Sequence, residues 1–216
     1  MTNRVALSWE PLPKPTLGQE REFEDLFHKL EDATGARAER LLGWLADVSE
    51  PAYRALGAPR VGFDAAADEW LVKRTEKRKR MHELDALRVE LHGYSVIELL
   101  PPCDGFPVYS NYLTSDTLER YAFNAELVLG ERELIGDDMW RLAQGAMLAE
   151  GLARFAERLH EVAQRYVLEN ELPAHVETIR EPVFPEGTKE RRAHVLFAAA
   201  KWSTYWSFRG HGLMPV

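Results

Sequence analysis

The chain has 216 residues, 45% hydrophobic and 29% charged, a mixture typical of soluble globular domains. A chain of this length buries roughly 70% of its unfolded surface, which argues against intrinsic disorder and against a small disulfide-stapled scaffold. Its 27 Lys and Arg stand against 35 Asp and Glu, a net charge of −8, which argues against a surface devoted as a whole to nucleic acid.

A single cysteine, Cys103, has no partner for an intramolecular disulfide, so a reducing, cytoplasmic setting is expected. The first fifteen residues hold Trp9, Glu10 and three prolines, with no apolar run behind a basic head, so a cleaved signal peptide is not expected. No segment reaches the roughly 18 apolar residues that a membrane span requires.

Residues 1–17 read as an extended arm, because Pro11, Pro13 and Pro15 remove backbone donors and disfavour helix before them. Phe23, Leu26, Phe27 and Leu30 recur at helical spacing and predict a first helix closed by Gly35. A second helix carries Leu41, Leu42, Trp44, Leu45 and Val48 and stops before Pro51; Gly57, Pro59 and Gly62 then mark a loop over 53–63. Asp64 is placed to cap a third helix running from Ala65 to Gly93, whose polar middle, Lys73 to Arg80, stands in solvent. Tyr94 to Leu100 reads as a strand bounded by Gly93 and Pro101-Pro102, with Asp104-Gly105 as the corner of a β-hairpin over 94–110. Residues 116–135 are ambiguous: Asp116 and Glu119 have capping-box spacing, whereas 121–128 alternate loosely like a strand. The longest predicted element is a helix over 138–170, roughly 50 Å at 1.5 Å per residue. An apolar stripe from Trp140 to Tyr166 follows one side, and Gly145, Ala149, Ala153 and Ala156 another. His175 to Pro185 reads as extended, and Thr188 caps a last helix that passes Trp202 and Trp206 and ends at Gly210.

Four groups of residues are candidates for function, each with a plain structural alternative. Cys103 and Asp104 stand in a proline-bounded turn at the end of the predicted strand, where a nucleophile would be presented. A reactive thiol needs a histidine within hydrogen-bond reach; His92 is poorly placed, and His160, His194 or His211 would have to be brought by the fold. The alternative is a rigid turn whose cysteine packs as a small hydrophobe. Asp25 with His28, and Glu157 with His160, each put an acid and an imidazole on one helical face, and the two pairs together resemble half of a carboxylate-bridged di-metal site. His28, Glu157 and His160 are therefore the metal candidates, although such pairs are common on solvated helices. Lys73 and Arg78 belong to a basic run suited to phosphates or an acidic protein surface, or else to a solvated face laced by Glu69–Lys73 and Glu76–Arg80 pairs. Trp202, Tyr205, Trp206 and Arg209 resemble an interface anchor or, more simply, core packing. His211 is a third catalytic candidate, or merely a cap on a helix end.

Phosphate-binding glycine loops, Gly-x-Ser-x-Gly elbows, Cys-x-x-Cys pairs, His-Glu-x-x-His and calcium loops are absent from the sequence, and no cofactor is expected. Together these readings predict a predominantly helical α+β fold: an arm over 1–17, then one domain over 18–216. In that domain about five helices surround the 138–170 helix, with a small β-hairpin over 94–110. The expected function is non-enzymatic, a cytoplasmic protein that binds another protein as an immunity-type inhibitor or an adaptor, with self-association left open. An enzyme with a Cys/His/Asp pocket or a His/Glu-bound metal is the alternative. Nucleic-acid binding through 73–80 is a further one, and no membrane partner is expected.

Overall fold

Over residues 8–15 the expected extended arm is built into both sheets. In the computed structural model, which describes residues 7–100, 109–110, 122–179 and 184–216, Ser8–Pro11 (β1) lies between Phe123–Asn124 (β4) and Leu213–Pro215 (β5). Both pairings are antiparallel, with Ser8 opposite Asn124 and Glu10 opposite Met214. A second sheet pairs Lys14–Pro15 (β2) with Ser49–Glu50 (β3). Helices take 62% of the described residues, so the fold is α+β and mostly helical. Among those residues no helix is long and apolar enough to cross a membrane.

The described residues fall into two compact units, one built from 7–52, 109–110, 122–179 and 184–216 and the other from 53–100. In the first, Glu20–Glu31 (α1) and Gly35–Asp47 (α2) pack Phe23, Leu26 and Phe27 against Leu41 and Leu45, with Leu12 beside them. Gly35 opens α2 rather than closing α1. It adopts φ +55 there, a left-handed backbone that glycine enters without a Cβ penalty.

The predicted 138–170 helix is two helices, Arg132–Leu142 (α7, preceded by Ala125–Leu129, α6) and Ala149–Glu169 (α8). The chain leaves the helical path between them because Met147 exchanges two backbone hydrogen bonds with Leu213, at 2.8 and 2.9 Å. The longest helix is thus 21 residues, about 32 Å. Gly145 stands outside α8, so the predicted line of small residues is broken; Ala156 still packs in the interior. The central helix is instead Lys189–Phe208 (α9), capped by Thr188, whose hydroxyl accepts from Arg191 N–H. Residues 193–200 are buried without a break, all the way round, the pattern of a helix enclosed on every side.

The second unit begins in the short helix Ala52–Ala55 (α3) and contains Ala65–Lys77 (α4) and Leu84–Glu90 (α5). The single helix predicted over 65–93 is therefore broken. Lys79 takes φ +55, and Arg80 N–H donates to the Thr75 carbonyl at 2.8 Å, closing α4. The predicted strand at 94–100 is also absent. Ser95 makes one isolated bridge to Arg60, and residues 97–99 form a 3₁₀ turn. Val61, Ala67, Leu71 and Val96 form this unit's own small core.

Candidate functional site

Among the described residues, one concavity in each unit brings together side chains of candidate interest. The first is apolar, about 530 Å³, between α1, α2 and the strands at their feet. Phe27 and Leu30 supply one wall, Leu42, Leu45 and Ala46 another, and Leu12 and Met214 the floor; Ser49 is the one polar side chain among the lining residues. The α2 sequence makes this opening, since Leu41 and Leu45 fill the core while Leu42, one position round the helix, is left 51% exposed at the rim. Leu12 is held from both sides. Its N–H donates to the Gly212 carbonyl at 3.0 Å, and its carbonyl accepts from His211 Nδ1 at 2.9 Å. A Lys14–Glu50 ion pair of 3.5 Å joins the β2 and β3 strands beside Leu12 and Ser49.

His211 consequently acts as a brace. It is fully buried, its Nδ1–H is committed to Leu12, and its Nε2 has no hydrogen-bond partner among the described residues. Burial holds the imidazole below its ordinary value, partly offset by the bond to Leu12. With no exposed surface, His211 supports Leu12 from within and lines neither concavity. Cys103 and Asp104 lie outside the described residues. His194, which the fold had to bring to them, has both ring nitrogens engaged: Nε2–H donates to the Ile179 carbonyl at 2.8 Å, and Nδ1 accepts from the Tyr109 hydroxyl at 2.6 Å. Burial lowers the His194 pKa and raises that of Tyr109. Nothing in the sequence linked these two residues.

The metal candidates do not converge. The exposed His28 faces Glu24 at 3.9 Å, and His160 faces Glu177 at 3.9 Å while Glu157 points to solvent. Among the described residues no three acids, histidines or cysteines gather closely enough to hold a metal. The C-terminal aromatics divide in two. Trp202 and Trp206 are fully buried, as core packing requires and as direct contact with a partner forbids. Tyr205 and Arg209 are half-buried, the guanidinium lying 3.5 Å over the phenol ring.

The second concavity, about 620 Å³, follows α4 in the second unit. It brings together Lys73, Arg74, Lys77 and Arg78 with Trp70 and Glu98. Glu98 uses both oxygens, accepting from Trp70 Nε1 at 2.7 Å and from Arg74 at 2.9 Å. Lys73 pairs with Glu69 at 2.7 Å as expected, but Arg80 turns to Glu83 rather than Glu76. Sequence spacing found the cations and missed Glu98, because only folding returns residue 98 to α4. The apolar cavity had a faint signal, α2 carrying leucines on a wider arc than one core face needs. The chain matches no family model, and no curated protein or solved structure resembles it.

Proposed function

We propose that the protein acts by binding another protein, an inhibitor or adaptor role, and that the partner inserts apolar side chains into the α1–α2 cavity. The observation that supports this reading is an open cavity of about 530 Å³ with Ser49 as the one polar side chain among those lining it. Apolar surface held against water costs about 25 cal/mol per Å², and an apolar insert offsets that cost in the manner of an interface anchor. Leu42 at the rim extends the same surface outward.

The test uses the full chain purified from its host, with native mass spectrometry to count co-purifying protein. Leu42→Asp changes an exposed side chain, so the fold should persist and the partner should be lost. A partner that stays bound to Leu42→Asp but leaves on Phe208→Asp would move the interface to the end of α9, beside Tyr205 and Arg209. A chain that carries no protein partner would remove the reading altogether.

A further inference from the structure

The α4 cleft of the second unit is distinct from the apolar cavity in chemistry and in location. It concentrates positive charge in a chain that is acidic overall. Among the described residues lining it, Lys73, Arg74, Lys77 and Arg78 face Glu69 and Glu98, four cations against two carboxylates, whereas the whole chain carries −8.

The carboxylates are already committed. Glu69 is engaged by Lys73, and Glu98 clamps Trp70 and Arg74. Trp70 in turn has the Tyr94 ring near parallel to it at 6.2 Å and the Arg74 guanidinium 4.9 Å from its centroid. Arg74 is therefore a fixed positive wall. Lys77 and Arg78 are exposed and make no ion pair among the described residues. Positions 73 and 74 lie one helical turn from 77 and 78, so the cations form two tiers about 6 Å apart along the axis. A smaller hollow of about 230 Å³ continues past Arg74 and Arg78 to Arg80.

We propose that this cleft binds an anion carrying phosphate groups in series, with Lys77 and Arg78 contacting it and the Arg74–Trp70–Glu98 assembly holding the wall. Two adjacent exposed cations with no ion pair among the described residues, Lys77 and Arg78, suit a ligand charged at more than one point. The planar guanidinium of Arg78 fits phosphate oxygens bidentately, while Lys77 serves as a point charge. Trp70 is already engaged by Tyr94, Arg74 and Glu98, so recognition is assigned to the phosphates and not to stacking a ring. The assignment does not depend on the apolar cavity, and Leu42→Asp should leave it untouched.

Isothermal titration of the full chain with inorganic tripolyphosphate, and in parallel with a short oligothymidylate, tests this at low salt. Saturable binding of tripolyphosphate assigns the site to free oligophosphates, and binding of the oligothymidylate alone assigns it to a phosphodiester strand. In either case Lys77→Gln with Arg78→Gln should weaken binding at least tenfold. The double variant should also flatten the salt dependence by about two contacts. Arg88→Gln on α5, whose partner is Asp85, should change nothing. The cations in the last turn of α4 also complement the helix dipole. If the double variant only melts earlier while its titrations match the parent, or if neither probe binds, the proposal fails.

Discussion

Gly212 lies so close to the Met147 carbonyl oxygen that a Cβ at position 212 would overlap it. The contact sits beside the double hydrogen bond between Met147 and Leu213, the same pairing that interrupts the helical path between α7 and α8. The Gly212 carbonyl also accepts from Leu12 N–H, so this one close approach ties β5, the α7–α8 break and the floor of the apolar cavity together. Gly212→Ala should push the backbones apart and cost about 1–3 kcal/mol or more. Urea unfolding measures the loss, and an unchanged midpoint would show that the Met147–Leu213 pairing can shift freely.

Position along α9 decides what an aromatic residue does. Trp206 is fully buried against Trp202, Tyr205 and His211, whereas Phe208 is 87% exposed. Trp206→Ala is expected to cost about 3–5 kcal/mol, and Phe208→Ala to stay within about 0.5 kcal/mol. Thermal melts of the two variants give the comparison directly.

Two buried histidines make stability depend on pH. His194 and His211 are both held below the ordinary imidazole value, chiefly by burial. Lys201 and Arg191 add repulsion at His194; Lys14 and Arg209 do so at His211, where Glu50 opposes them. The unfolded chain therefore binds more protons than the folded one as pH falls below about 6.5. Their contribution is complete above that pH and is lost progressively toward the lowered folded values. Denaturation midpoints should fall between pH 7.5 and 5, and His211→Gln, which keeps a donor without titrating, should fall less steeply. Equal slopes would place the acid sensitivity elsewhere.

Tyr109 titrates in the opposite sense. Burial raises its phenol above the usual value near 10, so the unfolded chain releases a proton that the folded chain retains. Stability from this group is complete below about pH 10 and is lost as pH rises toward the folded value. Tyr109→Phe should flatten the alkaline limb of the stability profile, at a cost of about 1 kcal/mol at neutral pH for the lost bond to His194.

Glu98 is the keystone of the α4 cleft. Replacing it with alanine takes the acceptor from Trp70 Nε1 and removes a carboxylate paired with Arg74, both ionic partners being about one-quarter exposed. An expected loss of about 1–2 kcal/mol, discounted for solvent, follows from a hydrogen-bonded charge pair of this kind. Hydrogen exchange at α4 amides should accelerate in the variant; unaltered exchange would mean that Leu71 and Val96 hold α4 without the clamp.

Local periodicity in the sequence determined the helical character of the chain, the apolar stripe of α1, the Thr188 cap and the closure of α9 near Gly210, because those signals reside within one or two turns. It also separated the basic α4 face from the acidic remainder. It did not determine where helices break. The α7–α8 interruption depends on Met147 meeting Leu213, and the segment after Gly93 forms a turn although its composition suits a strand. Nor did it choose α9 as the buried helix, since residues 193–200 read as a helix wherever they are placed and only packing on all sides marks them as central. The cavity floor at Leu12, the Tyr109–His194 pair and the Glu98 clamp each join residues far apart in the chain. Contacts of that kind leave no periodic trace, because they arise when separately amphipathic elements bury their faces against one another, and tertiary structure alone decided them.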